Sequence, residues 1–213
     1  MSQSRIADRE WRPAKALTIP NLLTLLRLLL IPFFLYASFR GLYTIAFVLF
    51  VAAAVTDVLD GFIARRLNQR SRLGALLDPA ADKMMMIAGY LFYTLAPLAE
   101  RIPPWLTFTI FVRDFLIVTF AYLLYTRVKV TRFPPSLAGK GSTVLQAFAL
   151  ATAIAVNGLT PSLRWLAEFL FRAALLTTLF SAADYIRRAE RMLHEKLLES
   201  APGDRNSSAA VTS

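Results

Sequence analysis

The chain has 213 residues, 56% of them hydrophobic and 18% charged, with a mean hydropathy of +0.50. Soluble domains are about 45–50% apolar, so this excess exceeds what one soluble core of this length can bury and points to a membrane protein. The absence of cysteine and the single histidine, His194, exclude a disulfide framework, thiolate catalysis and multi-His or Cys-ligated metal sites, and the net charge of +10 reads as cytoplasmic loops facing anionic headgroups rather than as a nucleic-acid surface.

The opening residues, MSQSRIADREWRPAK, are too charged for a cleavable signal peptide. Ile6, Trp11 and Leu17 among them predict a short N-terminal interfacial helix within residues 1–18. A bilayer crossing takes roughly 20 apolar residues. Six stretches satisfy this, near 21–39, 42–62, 80–99, 104–126, 142–159 and 163–186. The predicted fold is therefore all-α, an integral membrane bundle of six transmembrane helices forming one domain over residues 1–188. The first helix is expected to start at Pro20 and bend near Pro32, and the third to open on Pro79. Residues 189–213 read as a disordered cytoplasmic tail, polar and rich in small residues at their end.

Orientation follows from the basic residues. Arg5, Arg9, Arg12 and Lys15 precede the first helix; Arg65, Arg66, Arg70 and Arg72 lie between the second and third. Arg127, Lys129, Arg132 and Lys140 lie between the fourth and fifth; Arg187, Arg188 and Arg191 follow the sixth. The opposite side has Arg40, Arg101 and Arg164. The positive-inside rule then puts both termini in the cytoplasm, in agreement with an even number of spans.

The chemistry concentrates in one segment. Asp57 and Asp60 are three residues apart and Asp78 and Asp82 four apart, so each pair shares a helix face. Antiparallel neighbours joined by a short loop bring the pairs together near one membrane face. Taken singly, such aspartates read as helix caps or solvated loop groups, and Asp60-Gly61 as a turn. Taken in pairs, they also fit a cation or proton pathway. Taken together, four carboxylates need a cationic partner. Two divalent ions balance them, and oxygen-only ligands select Mg²⁺ or Mn²⁺. A pair of metals is a recurrent device for phosphoryl transfer.

The spacing Asp57-x2-Asp60-Gly61-x2-Ala64-Arg65-x8-Gly74-x3-Asp78-x3-Asp82 matches, without departures, the signature of the CDP-alcohol phosphotransferase family. The stretch Ile19-Pro20-Asn21-Leu-Leu-Thr24-Leu-Leu-Arg27 resembles the opening of bacterial phosphatidylglycerophosphate synthases and their cardiolipin-synthase relatives. The resemblance covers residues 17–188. It implies a homodimer in a bacterial inner membrane, with the active site cytoplasmic and CDP-diacylglycerol as donor.

By that resemblance Asp57, Asp60, Asp78 and Asp82 hold two ions, Mg²⁺ or Mn²⁺, and Asp82 is also the general base. Gly61, Ala64, Arg65 and Gly74 bind the nucleotide and donor phosphates, with Asn21 and Thr24 beside them. Small residues also pack membrane helices, an alternative that stays open for Ala64. On the acceptor side, Arg113 lies inside the fourth helix, where a charge is costly. Asp114 is expected to face elsewhere, since adjacent helix residues diverge. Arg113, Arg132 and Lys140 are therefore the candidates for an acceptor phosphate. Glycerol 3-phosphate is the favoured acceptor. Phosphatidylglycerol, giving cardiolipin, is the alternative, because the segments around Arg113-Asp114 and from Tyr125 to Lys140 resemble that group too. Phosphatidylglycerophosphate synthases often carry Glu where Asp114 stands.

Overall fold

A computed structural model describes the backbone of residues 19–67, 72–128 and 137–200, and the side chains of residues 22–57, 81–120, 122, 126 and 137–191. The expected interfacial segment 1–18 and residues 201–213 of the expected tail lie outside the described residues. Six long helices account for the described chain: α1 (Ile19–Phe39), α2 (Tyr43–Leu67), α3 (Arg72–Leu95), α4 (Pro104–Val128), α5 (Leu137–Gly158) and α6 (Arg164–Ser200). A single 3-10 turn, Pro161–Leu163, precedes α6, and no strand is present among the described residues.

The expected helices are all present, with revised ends. α3 begins at Arg72 rather than at Pro79, so Gly74, Asp78 and Pro79 lie inside a helix. α2 runs through Asp60-Gly61, so that dipeptide is helical and not a turn. α1 opens with Ile19-Pro20, where a missing N–H costs nothing, and continues through Pro32. α6 extends to Ser200, so residues 189–200 of the expected disordered tail are helical. Its 37 residues make it roughly 55 Å long, well beyond a hydrocarbon core of about 30 Å.

Among the described residues, three helical stretches are long and apolar enough to cross a bilayer: Leu22–Phe39, Leu137–Gly158 and Pro161–Arg191. A shorter apolar stretch covers Tyr43–Asp57. α3 carries Asp82 and Lys83 within its length, and α4 carries Arg113 and Asp114.

The chain divides into two compact units, residues 1–101 with 150–164, and residues 102–149 with 165–213. In the first unit α1 packs on both α2 and α3. Phe34 is completely buried there, with its ring 6.2 Å from Phe50 of α2 and 6.4 Å from Tyr93 of α3. Gly41, at φ +71°, reverses the chain between α1 and α2 in a conformation few other residues adopt. Gly158 ends α5 against the first residues of α2: a Cβ there would stand 2.6 Å from the Thr44 amide nitrogen. The Thr44 hydroxyl donates to the Gly158 carbonyl at 2.9 Å. Beside it Asn157 brackets Glu100, its amide donating to the Glu100 carbonyl at 2.8 Å and its oxygen accepting from the Glu100 N–H at 3.2 Å. Arg164 Nε closes the cluster on the Glu100 carboxylate at 2.7 Å.

In the second unit α5 and α6 are joined by a buried polar set. The Gln146 amide donates to Ser142 at 3.1 Å and to Thr178 at 2.9 Å. The first bond is within α5; the second crosses to α6, and in an apolar medium such an interhelical bond contributes about 0.6–2 kcal/mol.

Two glycines of α5 separate close approach from propensity. Gly158→Ala should lower the melting temperature by several degrees, because an overpacked contact costs about 1–3 kcal/mol and backbone cannot yield as a side chain does. Gly141→Ala, which meets nothing within 4 Å, should be neutral or slightly stabilising through helix propensity. Thermal unfolding of the detergent-solubilised variants reads both signs.

Candidate active site

The site of the first unit is built on one buried charge. Arg27 lies on α1, eight residues after its start, in a run otherwise made of Leu, Ile and Thr. It is 1% exposed. Its Nη1 meets Asp57 Oδ1 of α2 at 3.0 Å and also donates to Asp82 Oδ1 of α3. Two carboxylates from two helices thus converge on one nitrogen of a third. Both carboxylate side chains remain 44% exposed, so the cluster has a buried base and a wet rim. Thr24, one turn before Arg27 on the same face of α1, is fully buried.

The remaining signature residues are placed by backbone alone. Asp60, Gly61, Ala64 and Arg65 follow Asp57 on α2, and Gly74 and Asp78 precede Asp82 on α3. Asn21 sits in the first turn of α1. Their side chains lie outside the described residues, as does Arg132 altogether. Among the described residues no group of three metal-ligating side chains is assembled. Asp57 and Asp82 supply hard carboxylate oxygens, the ligand type that Mg²⁺ or Mn²⁺ takes, and in this structure both are held by Arg27.

The resemblance assigns Arg27 no role. The signal was present, since a guanidinium within an apolar helix needs an anionic partner. The second unit corrects a different expectation. Arg113 does pair with its neighbour: Nη1 meets Asp114 Oδ1 at 2.8 Å, although Cβ atoms of adjacent helix residues diverge. The long Arg stem bends around the helix to reach it. Nη2 donates to the Ser181 hydroxyl of α6 at 2.7 Å, while the buried Nε has no hydrogen-bond partner among the described residues. Lys140 lies in the first turn of α5 and is exposed.

With this geometry in hand, comparison with known proteins is specific. Residues 17–180 match the family described as CDP-alcohol phosphatidyltransferase. A CDP-diacylglycerol–glycerol-3-phosphate 3-phosphatidyltransferase of Aquifex aeolicus (strain VF5) is 35% identical over 181 residues, covering 84% of this chain and 100% of that protein. A probable phosphatidylglycerophosphate synthase of Mycobacterium tuberculosis (strain ATCC 25618 / H37Rv) is 35% identical over 184 residues, 84% of each chain. A cardiolipin synthase (CMP-forming) of Homo sapiens is 39% identical over 137 residues, 61% of this chain and 44% of that protein. The chain belongs to the CDP-alcohol phosphatidyltransferase family, as its signature implied.

Because Arg27 is the common partner of two carboxylates, Arg27→Leu should leave them facing each other across α2 and α3. The loss is about 1–3 kcal/mol, the cost of stranding a charged partner in a half-exposed site. Thermal unfolding should show a melting temperature lower by roughly 3–10 °C, since each kcal/mol shifts a chain of this size by about 2–4 °C. Arg27→Lys should recover part of that loss.

Proposed function

We propose that the protein transfers the phosphatidyl group of CDP-diacylglycerol to glycerol 3-phosphate, giving phosphatidylglycerophosphate and CMP. The observation that carries this reading is the convergence of Asp57 and Asp82 on Arg27 within the full signature spacing. It is supported by a relative of complete coverage that is named for that reaction.

Asp57, Asp60, Asp78 and Asp82 would hold two divalent ions, which when bound neutralise charge on the donor pyrophosphate. The chain's own groups account for the rest. Asp82 takes the proton of the acceptor hydroxyl at its carboxylate. The hydroxyl oxygen bonds to the lipid-bearing phosphorus as the bond from that phosphorus to the bridging oxygen breaks, and CMP leaves. Gly61, Ala64 and Gly74 let the cytidine approach backbone closely, Arg65 contacts the donor phosphates, and Asn21 and Thr24 flank the nucleotide. Arg113, Arg132 and Lys140 bind the acceptor phosphate, with Arg113 Nε as the guanidinium donor left over after Asp114 and Ser181.

The same reading makes all six helices membrane spans of a bacterial inner-membrane homodimer, with both termini and the site cytoplasmic. Arg187 and Arg188 then meet anionic headgroups at that face. A second reading, cardiolipin synthesis with phosphatidylglycerol as acceptor, is favoured by one observation: identity with the human protein named for it reaches 39%, over 61% of this chain.

CMP release from CDP-diacylglycerol by the purified protein, with each acceptor in turn and Mg²⁺ present, tests both. Glycerol 3-phosphate should support turnover; turnover with phosphatidylglycerol alone makes cardiolipin the product. Asp57→Asn, Asp60→Asn, Asp78→Asn and Asp82→Asn should each abolish CMP release in folded protein, and near-normal turnover from any of the first three would remove it from the metal cradle.

Arg113→Ala should raise the KM for glycerol 3-phosphate about tenfold, the equivalent of one charge-assisted contact, while that for CDP-diacylglycerol changes little. Equal changes in both constants would make Arg113 a structural partner of Asp114 and Ser181 only.

A further inference from the structure

A cavity of about 580 Å³ opens in the first unit, away from the carboxylates but on the same helices. Leu35 and Phe39 of α1, Tyr43 of α2, and Ala88, Leu91 and Leu95 of α3 line it. The α3 residues recur at three and seven positions and the α1 residues at four, so each helix presents one stripe. Among the described residues no charged side chain lines the cavity. Of its two hydroxyl-bearing side chains besides apolar ones, Ser38 faces the Tyr93 hydroxyl at 3.5 Å. The wall is stiff: Phe92 packs edge-on against Phe39 at 4.8 Å and against Tyr93 at 5.2 Å. This is a volume in the range of ligand pockets with a lining suited to methylene groups rather than to a headgroup or a soluble anion.

Its position identifies the occupant. Leu35 and Phe39 lie about 12 and 18 Å along α1 from Arg27, at 1.5 Å per residue. Ala88 and Leu95 lie about 9 and 20 Å along α3 from Asp82. The acyl chains of one leaflet fill about half of a ~30 Å hydrocarbon core, roughly 15 Å. A lipid whose phosphates lie at the carboxylates therefore carries its chain ends into the near part of the cavity, at Leu35, Ala88 and Leu91. We infer that the cavity receives the distal part of one acyl chain of the CDP-linked lipid donor, and that it makes the protein sensitive to donor chain length. The inference rests on the donor assigned above. Lipid tails are as apolar as the cavity wall, so discrimination comes from packing contacts and not from hydrophobic transfer, and its size is accordingly modest.

The test compares dioleoyl and dioctanoyl CDP-diacylglycerol in mixed micelles, with wild type, Ala88→Phe and Leu91→Phe. Filling the cavity should lower kcat/KM for the dioleoyl donor about fivefold, the equivalent of roughly ten lost atom contacts. The dioctanoyl donor, whose chains end near the start of the cavity, should be used unchanged and so certifies that each variant is folded. Leu91 is 42% exposed, so Leu91→Phe keeps the test open if Ala88→Phe does not fold. Equal losses for both donors, or no loss for either, overturn the inference and leave a cavity filled by bulk lipid. Wild-type protein that releases CMP from neither donor removes the donor reading and the inference with it, an outcome distinct from the first.

Discussion

A guanidinium inside an apolar helix constrains everything around it. A charge at the centre of a bilayer-spanning helix costs about 2.5–3.5 kcal/mol even on the mild scales. Arg27 offsets that cost with two carboxylates, each from a different helix. Because α1 packs on both α2 and α3, the pairing fixes the rotation and the height of α1 against each neighbour. An apolar stripe alone does not do this, since leucines slide past leucines with little penalty. The far end of the same unit is held by different means: the Thr44–Gly158 contact permits no side chain between the backbones, and Glu100 is bracketed by Asn157 and Arg164. The aromatic core around Phe34 lies between these two fixed ends.

The second unit solves the same problem with more neutral groups. Ser142, Gln146 and Thr178 are buried and satisfy one another, which aligns α5 with α6. Arg113 is the exception, and its charge is met locally by Asp114 and across the unit by Ser181. An ion pair between adjacent residues adds nothing to helix register. The bond to Ser181 reaches from α4 to α6, and the guanidinium Nε, at a buried position, has no hydrogen-bond partner among the described residues. Such an atom is costly to maintain in apolar surroundings. The proposed acceptor phosphate would give it a partner.

Much of this was legible in the sequence, and the exceptions have causes. The six helices followed from apolar run length, and the approach of Asp57 to Asp82 followed from two aspartate pairs, Asp57 with Asp60 and Asp78 with Asp82, on consecutive helices joined by a short loop. The start of α3 did not: Pro79 reads as a helix opening because proline suits the first turn, but the helix begins at Arg72 and runs through it. The Arg113–Asp114 pair did not either, because spacing rules describe Cβ directions and not the reach of a long side chain. Glu100, Asn157 and Arg164 gave no local signal at all, since they lie 57 and 64 residues apart and meet only through the fold. Arg27 was visible as an anomaly, but only the structure names its two partners.

The distribution of charge around Arg27 also bears on how the two ends of the first unit are related. Arg27 carries one positive charge against the two carboxylates it contacts, so it holds Asp57 and Asp82 in place without neutralising both. An excess of negative charge with a wet rim is a receptor for hard cations and, through them, for phosphates. The helix that supplies Arg27 also supplies Leu35 and Phe39 to the apolar cavity, and the helix that supplies Asp82 also supplies Ala88, Leu91 and Leu95. A lipid donor is a molecule with the same division, pyrophosphate at one end and methylenes at the other. The salt bridge that sets α1 against α3 at the polar end thus joins the same two helices that wall the cavity at the apolar end.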